Sequence, residues 1–174
     1  PGRTSNEIFE LENKKLTRIF DNNLITLDFD NKNPVEELRK KGILSHLKRK
    51  MIQSTSKYTL SESDRNYLNN NNRIPASLLK SLATDRSRNN LIATRIIEEQ
   101  NKGRQCLVFA CSSLHSKVLS SMLNLKGVSS ASVTSDMNKL TRFRAIDSFK
   151  NGTCSVLVNY GILTTGFDAP NIDV

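Results

Sequence analysis

The residues best suited to chemistry form one segment near the end of the sequence: Asn159-Tyr160-Gly161-Ile162-Leu163-Thr164-Thr165-Gly166-Phe167-Asp168-Ala169-Pro170. Its two glycines permit tight backbone turns, the adjacent hydroxyls of Thr164 and Thr165 can donate to phosphate oxygens, and Asp168 sets a carboxylate beside them. A second pair of hydroxyls, Ser112 and Ser113, follows an apolar run and can cap a helix. Between Arg39 and Lys50, six cations (Arg39, Lys40, Lys41, Lys48, Arg49 and Lys50) occur without an acidic neighbour, a candidate track for phosphates. The chemistry these types share is anion binding. Two readings stand open at this point: a site-forming loop around Gly166 and Asp168, or a turn that the carboxylate and threonines merely cap and brace. For His115, Arg142 and Phe149 the structural reading is preferred.

Positioning such a loop requires a scaffold, and the pattern upstream supplies one. Leu91, Ile92, Ile96 and Ile97 fall at helical spacing between Arg86 and Asn101, with Gly103 as the stop. Cys106–Cys111 is a continuous apolar run of strand length, as expected for a parallel strand covered on both faces. Ser112 or Ser113 then caps a helix bearing Val118, Leu119, Met122, Leu123 and Leu125, which Gly127 ends. Ser130–Thr134 reads as a short strand. Asp136 is expected to cap a helix with Leu140, Phe143, Ile146 and Phe149 on one face, before Gly152. Ser155–Tyr160 is the third strand. Alternation of this kind predicts an α/β fold with a parallel sheet flanked by helices, whose ligands meet the loops at the carboxyl ends of the strands.

The first half is less regular. Asn33 can cap a short helix beginning at Pro34, with Glu36 and Glu37 in its first turn and Gly42 beyond its last. Leu24–Phe29 suits a half-exposed strand, Leu47–Ile52 is a second candidate, and the polar run Asn69–Asn72 reads as a loop. The chain opens at Pro1 rather than Met and stops at Val174 within an apolar stretch, so a piece of a longer protein is expected.

Composition narrows the function classes. A length of 174 residues suits one domain with an extension. The mean hydropathy of −0.44 and 25% charged residues fit a soluble globular chain. No apolar run approaches a membrane span and no signal peptide opens the chain, so a cytoplasmic protein without a membrane partner is expected. Cys106, Cys111 and Cys154 lack disulfide or zinc spacing and are read as buried thiols. A net charge of +9 and a pI near 9.7 point to a polyanionic partner. The GxGxxG dinucleotide fingerprint is absent, as are the GxxxxGK phosphate loop and paired magnesium-binding carboxylates, so the chain alone is expected not to hydrolyse ATP and no catalytic or metal-ligating residue is assigned in it.

The segment at residues 159–170 resembles motif V of superfamily 2 helicases, in the form found in the motor subunits of restriction enzymes and their DEAD/DEAH-box relatives. Leu107-Val108-Phe109-Ala110-Cys111-Ser112-Ser113 looks like motif IV, Arg142, Phe149 and Gly152 fall where the intervening helix carries its Arg, Phe and Gly, and Pro1-Gly2-Arg3-Thr4 looks like the tail of motif III. Tyr160 stands where many relatives carry a smaller residue. The resemblance implies a RecA-like second motor domain of the P-loop NTPase type, truncated before motif VI, over residues 86–174. Residues 1–85 would be the inter-lobe connection and an N-terminal extension. It further implies an ATP-dependent DNA helicase or translocase that uses ATP and Mg2+ bound largely by residues outside this chain. Its partners would be double-stranded DNA and the first RecA-like domain of the same parent. Ser112, Ser113, Thr164 and Thr165 would face the nucleic-acid backbone, while Gly166 and Asp168 would lie near the ATP cleft. Lys48, Arg49 and Lys50 join this set on charge alone. An RNA helicase and a non-catalytic Rossmann-like binding module are the competing readings.

Overall fold

A computed structural model describes Arg18, residues 33–46 and 48–163, and Ile172. The chain divides into two compact units, Pro1–Met51 and Ile52–Val174. In the first, helix α1 (Pro34–Lys40) starts where Asn33 Oδ1 accepts the Val35 N–H at 3.0 Å, and it carries Glu36 and Glu37 at its positive end, as expected. The candidate strand at Leu24–Phe29 lies outside the described residues. The one at Leu47–Ile52 does not form: residues 48–52 have no regular secondary structure. Met51 is 84% exposed and Ile52 50%, so this stretch has no buried apolar face to hold it in a sheet.

The second unit begins with two helices that the sequence pattern did not reveal. Helix α2 (Glu62–Asn71) is capped by Ser61, whose hydroxyl accepts the Asp64 N–H at 3.1 Å. The supposed loop at Asn69–Asn72 is instead its last turn, closed by Asn72 in the left-handed region at φ 49°. An exposed helix end needs no apolar residue, and Asn tolerates that conformation better than most side chains. Helix α3 (Ala76–Thr84) buries Ala83. Asp85 then caps α4 (Arg86–Gln100) by accepting the Arg88 N–H at 2.9 Å. Buried Glu99 closes that helix against three cations: Arg95 at 2.9 Å, Lys102 at 3.0 Å and Arg104 at 2.5 Å.

Three strands follow in alternation with helices: β1 (Cys106–Phe109), α5 (Ser113–Leu125), β2 (Ser130–Thr134), α6 (Lys139–Lys150) and β3 (Val156–Tyr160). All pair in parallel in the order β1-β3-β2, with Cys106 and Ser130 both in register with Val156. The fold is thus the α/β parallel sheet flanked by helices that the apolar strands predict. Side-chain alternation along the central strand divides the core. Val156 and Val158 pack with Ala93 and Ile96 of α4 and Leu119 and Leu123 of α5. Leu157 packs on the opposite face with Val133 and with Phe149 of α6. Serines let α5 approach the sheet closely: Ser116 Oγ donates to the Val158 carbonyl at 2.7 Å and lies 2.7 Å from Ser132 Oγ.

Two details of α6 differ from the sequence pattern. Its cap is Asn138, whose side chain accepts the Thr141 N–H at 2.8 Å, and not Asp136. Leu140 and Phe143 point outward, 59% and 67% exposed. Leu140 precedes Phe149 by about two and a half helical turns, which puts it on the opposite side once Phe149 faces the sheet. Among the thiols, Cys106 and Cys154 are buried, but Cys111 is half-buried because it lies past the end of β1 on the carboxyl edge of the sheet.

Candidate functional site

The turn from β1 into α5 is built by reciprocal bonds between its own residues. Ser112 caps the helix, its hydroxyl accepting the His115 N–H at 3.1 Å. His115 Nδ1 accepts the Cys111 N–H at 3.2 Å, and the Cys111 sulfur lies 3.2 Å from the same nitrogen. The arrangement is a capping box with imidazole in place of the usual carboxylate, reaching one residue further back. Because Nδ1 accepts, the proton resides on Nε2, which donates to Asn89 Oδ1 at 3.1 Å. Asn89 Nδ2 in turn donates to the Ala83 carbonyl at 2.8 Å. Burial foremost, and the Arg88 guanidinium next, push the His115 pKa down to about 4, so the ring is neutral near pH 7.

Ser113 faces the opposite way, into the next loop. Its hydroxyl donates to Asp136 Oδ1 at 3.1 Å, and the Lys117 ammonium, one turn further along α5, donates to Oδ2. Asp136 therefore belongs to a polar cluster at the carboxyl ends of β1 and β2. Lys117 foremost, with smaller contributions that include the Thr134 and Ser113 hydroxyls, holds its carboxyl well below the usual range. The cluster is solvent-facing, with the Lys117 and Asp136 side chains each 52% exposed. Such a site offers one hydroxyl, one ammonium and one competing carboxylate to an incoming anion.

At the end of β3, buried Asn159 organises the entry to the glycine-rich segment. Its Oδ1 accepts the Ile162 and Leu163 N–H groups at 3.2 and 2.9 Å, while its Nδ2 donates to the Leu163 carbonyl at 3.2 Å. Gly161 turns the chain with φ +72°, a conformation that side chains resist, although space for one is open. The Asn159 carbonyl meanwhile accepts the Ala110 N–H at 2.8 Å, tying this turn to the one after β1.

The sequence-derived candidates thus separate into three groups. Ser112 and Ser113 sit together at the carboxyl edge of the sheet, the first engaged as a cap and the second on Asp136. Lys48, Arg49 and Lys50 belong to the first unit, where they are exposed and outside regular structure. Thr164, Thr165, Gly166 and Asp168 lie outside the described residues. Sequence reasoning missed Asp136 and Lys117 as members of the site and placed Asn159 in the chemistry-bearing segment without giving it a role. A signal existed for Asn159, the one amide in the otherwise apolar Val156–Tyr160, since a polar side chain in a covered strand needs a partner. None existed for Asp136 and Lys117, which belong to different elements. Arg142 donates from Nη2 to the Met137 carbonyl at 3.1 Å and Phe149 is fully buried, the structural roles preferred for both.

Among the described residues no group of three His, Cys, Asp or Glu side chains is placed to hold a metal ion. No helix among the described residues is long and apolar enough to cross a membrane.

Comparison with known proteins adds a lineage to this geometry. The family model for the helicase conserved C-terminal domain matches residues 87–174. IRC3 of Saccharomyces cerevisiae, whose name gives it provisionally as an ATP-dependent helicase, is 36% identical over 84 residues, 48% of this chain and 12% of that protein. The ATP-dependent rRNA helicase RRP3 of the same species is 31% identical over 72 residues, 41% of this chain and 14% of that protein. The chain therefore spans about an eighth of the length of these curated relatives. Among solved structures, the Hef helicase domain of Pyrococcus furiosus aligns at 20% identity with a TM-score of 0.45, covering 56% of this chain and 21% of that one.

Proposed function

This chain belongs to the helicase conserved C-terminal domain family, and we propose that it is the second RecA-like lobe of an ATP-dependent helicase or translocase. The observation that carries the reading is the family match over residues 87–174, which runs from α4 through the turn after β1 to the glycine-rich segment after β3. In this reading residues 86–174 form the lobe and residues 1–85 its connection and extension. Ser112, Ser113, Thr164 and Thr165 bind backbone phosphates, as do Lys48, Arg49 and Lys50. Gly166 and Asp168 line one side of an ATP cleft shared with the first lobe of the same parent.

The groups that carry phosphoryl transfer, including the Mg2+ ligands, belong to the remainder of that parent. When bound there, ATP supplies the free energy that closes the two lobes. The part of this chain is to hold nucleic acid by backbone contacts, which carry no sequence information, and to transmit grip between cleft and track through the loop at residues 161–168.

The preferred track is double-stranded DNA, on the likeness of residues 159–170 to the motif V of restriction-enzyme motors, and a restriction motor is the corresponding setting. A second reading, an RNA helicase, is favoured by the similarity to RRP3, which is named for rRNA. Steady-state ATP turnover by the intact parent, with duplex DNA and with RNA as the stimulating strand, separates the two. Asp168→Ala should lower stimulated turnover by at least about tenfold while its thermal midpoint stays close to that of the wild type. A carboxylate that only braces the loop should instead cost on the order of 1 kcal/mol of stability and leave the folded fraction turning over normally. No stimulation by either nucleic acid would overturn the motor reading altogether.

A further inference from the structure

We propose that His115 is the positioning residue of the turn that meets nucleic acid, setting Ser112 and Ser113 through the single acceptor it offers at Nδ1. The inference rests on reading that turn as a phosphate contact.

The argument starts with the backbone donors where β1 ends. Ala110 donates its N–H to Asn159 on the central strand, the last such ladder bond on that side of the exit from β1. The next donor, Cys111 N–H, has left the sheet, and its partner is the ring nitrogen of His115 at 3.2 Å. A half-buried donor without an acceptor costs free energy, so the chain leaves β1 along the path that keeps this bond. Ser112 is the next residue and Ser113 the one after, and the Ser112 hydroxyl returns the bond by accepting the His115 N–H. Two reciprocal bonds over five residues thus define where both serines stand.

The far side of the ring fixes the ring itself. Nε2 donates to Asn89, which is 1% exposed and anchored by the Ala83 carbonyl, so the imidazole plane is held by α4 and the end of α3. Arg88 Nη1 lies 3.3 Å from Nε2. The positive charge of the guanidinium at this distance adds to burial in opposing protonation of the ring. The groups facing His115 are Arg88 and Asn89 from α4 and the thiol and N–H of Cys111 from the turn. A histidine that only filled space would need neither tautomer nor both nitrogens. Here the helical segment before the sheet is joined through one neutral ring to the turn after β1.

Amide replacements separate the two ring nitrogens, because Asn places its carbonyl oxygen near Nδ1 and Gln places its amide near Nε2. In the full-length protein carrying this chain, His115→Asn should keep affinity for a fluorescein-labelled DNA duplex or RNA strand within about twofold of wild type. His115→Gln and His115→Ala should each weaken it about tenfold, the worth of one buried hydrogen bond. Asn and Gln each lose one of the two ring bonds, so equal affinities for them at a temperature where both are folded would overturn the proposal. Nitrogen chemical shifts of the wild-type imidazole give a check independent of variant folding: the Nε2–H tautomer is expected, and Nδ1–H would overturn the assignment. Failure of the wild type to bind either probe would instead sink the phosphate-contact reading of the turn, and this inference with it.

Discussion

At the scale of single residues, two buried titratable groups, Glu99 and His115, contribute to the response to acid alongside the more exposed Asp85 and Asp136. Glu99 is removed from water but meets Arg95, Lys102 and Arg104, and the cost of burying its charge is offset only while those contacts persist. Lys102 foremost, with Arg104 and Arg95, draws its pKa down to about 2. A carboxylate depressed in the folded state contributes stability that is present above its ordinary pKa and lost as pH falls through the folded value. Histidine 115 acts in the neighbouring window. Its folded pKa of about 4 lies below the ordinary 6.5, so the unfolded chain binds the proton first and stability declines as pH falls from 6.5 to 4. Thermal unfolding across pH should show both declines in the wild type. In His115→Asn the upper decline should vanish, and in Glu99→Gln the lower one should flatten between pH 4.5 and 2. A wild-type profile flat from pH 6.5 to 4 would refute the burial argument for His115.

At the scale of elements, α6 offers an internal control. Phe149 and Phe143 are on the same helix, but Phe149 is fully buried against Leu157 and Val133 while Phe143 is 67% exposed. Phe149→Ala should cost about 3–5 kcal/mol through lost transfer energy and the cavity left behind. Phe143→Ala should fall within about 0.5 kcal/mol of wild type. Urea unfolding of the two variants measures both, and equal losses would mean that the helix face is assigned incorrectly. The contrast also shows where sequence reading succeeds and fails. The helix itself was legible from its apolar spacing and from Gly152. Its inward face was not, since Leu140, Phe143, Ile146 and Phe149 span more of the helix circumference than one sheet can cover. Its cap was misread for a related reason: Asp136 and Asn138 are both good caps, and Asp136 is engaged by Ser113 and Lys117 from another element.

At the scale of the whole molecule, the charge of +9 is the dominant feature. Cations that contact phosphates release counterions, so affinity for nucleic acid should fall steeply with salt and vary little with sequence. Replacing Lys48, Arg49 and Lys50 by Ala should lower the slope of log affinity against log salt by about 2 to 3 if all three meet phosphates. Titrations of one oligonucleotide at several salt concentrations measure the slope. An unchanged slope would return these residues to an exposed surface with no part in binding.

The amino-acid sequence alone determined the kinds of element and the lineage. Caps such as Asn33, apolar runs such as Cys106–Phe109 and Val156–Tyr160, and the glycine-rich segment at residues 159–170 are local signals, set by backbone conformation and nearest-neighbour hydrogen bonding. Helices α2 and α3 escaped for different reasons: α2 buries no residue, while α3 does gather Leu78, Leu79, Leu82 and Ala83 on one face but is only 9 residues long, too short for the spacing to stand out. What tertiary structure alone decided are the relations between distant residues. The last of the described strands became the central one of their sheet, Asn159 came to hold the turn at residues 161–163, and His115 met Asn89 across 26 positions. Such pairings depend on which faces come together when the two sides of the sheet are covered. No local propensity encodes that choice, because its free energy is realised only after the layers pack.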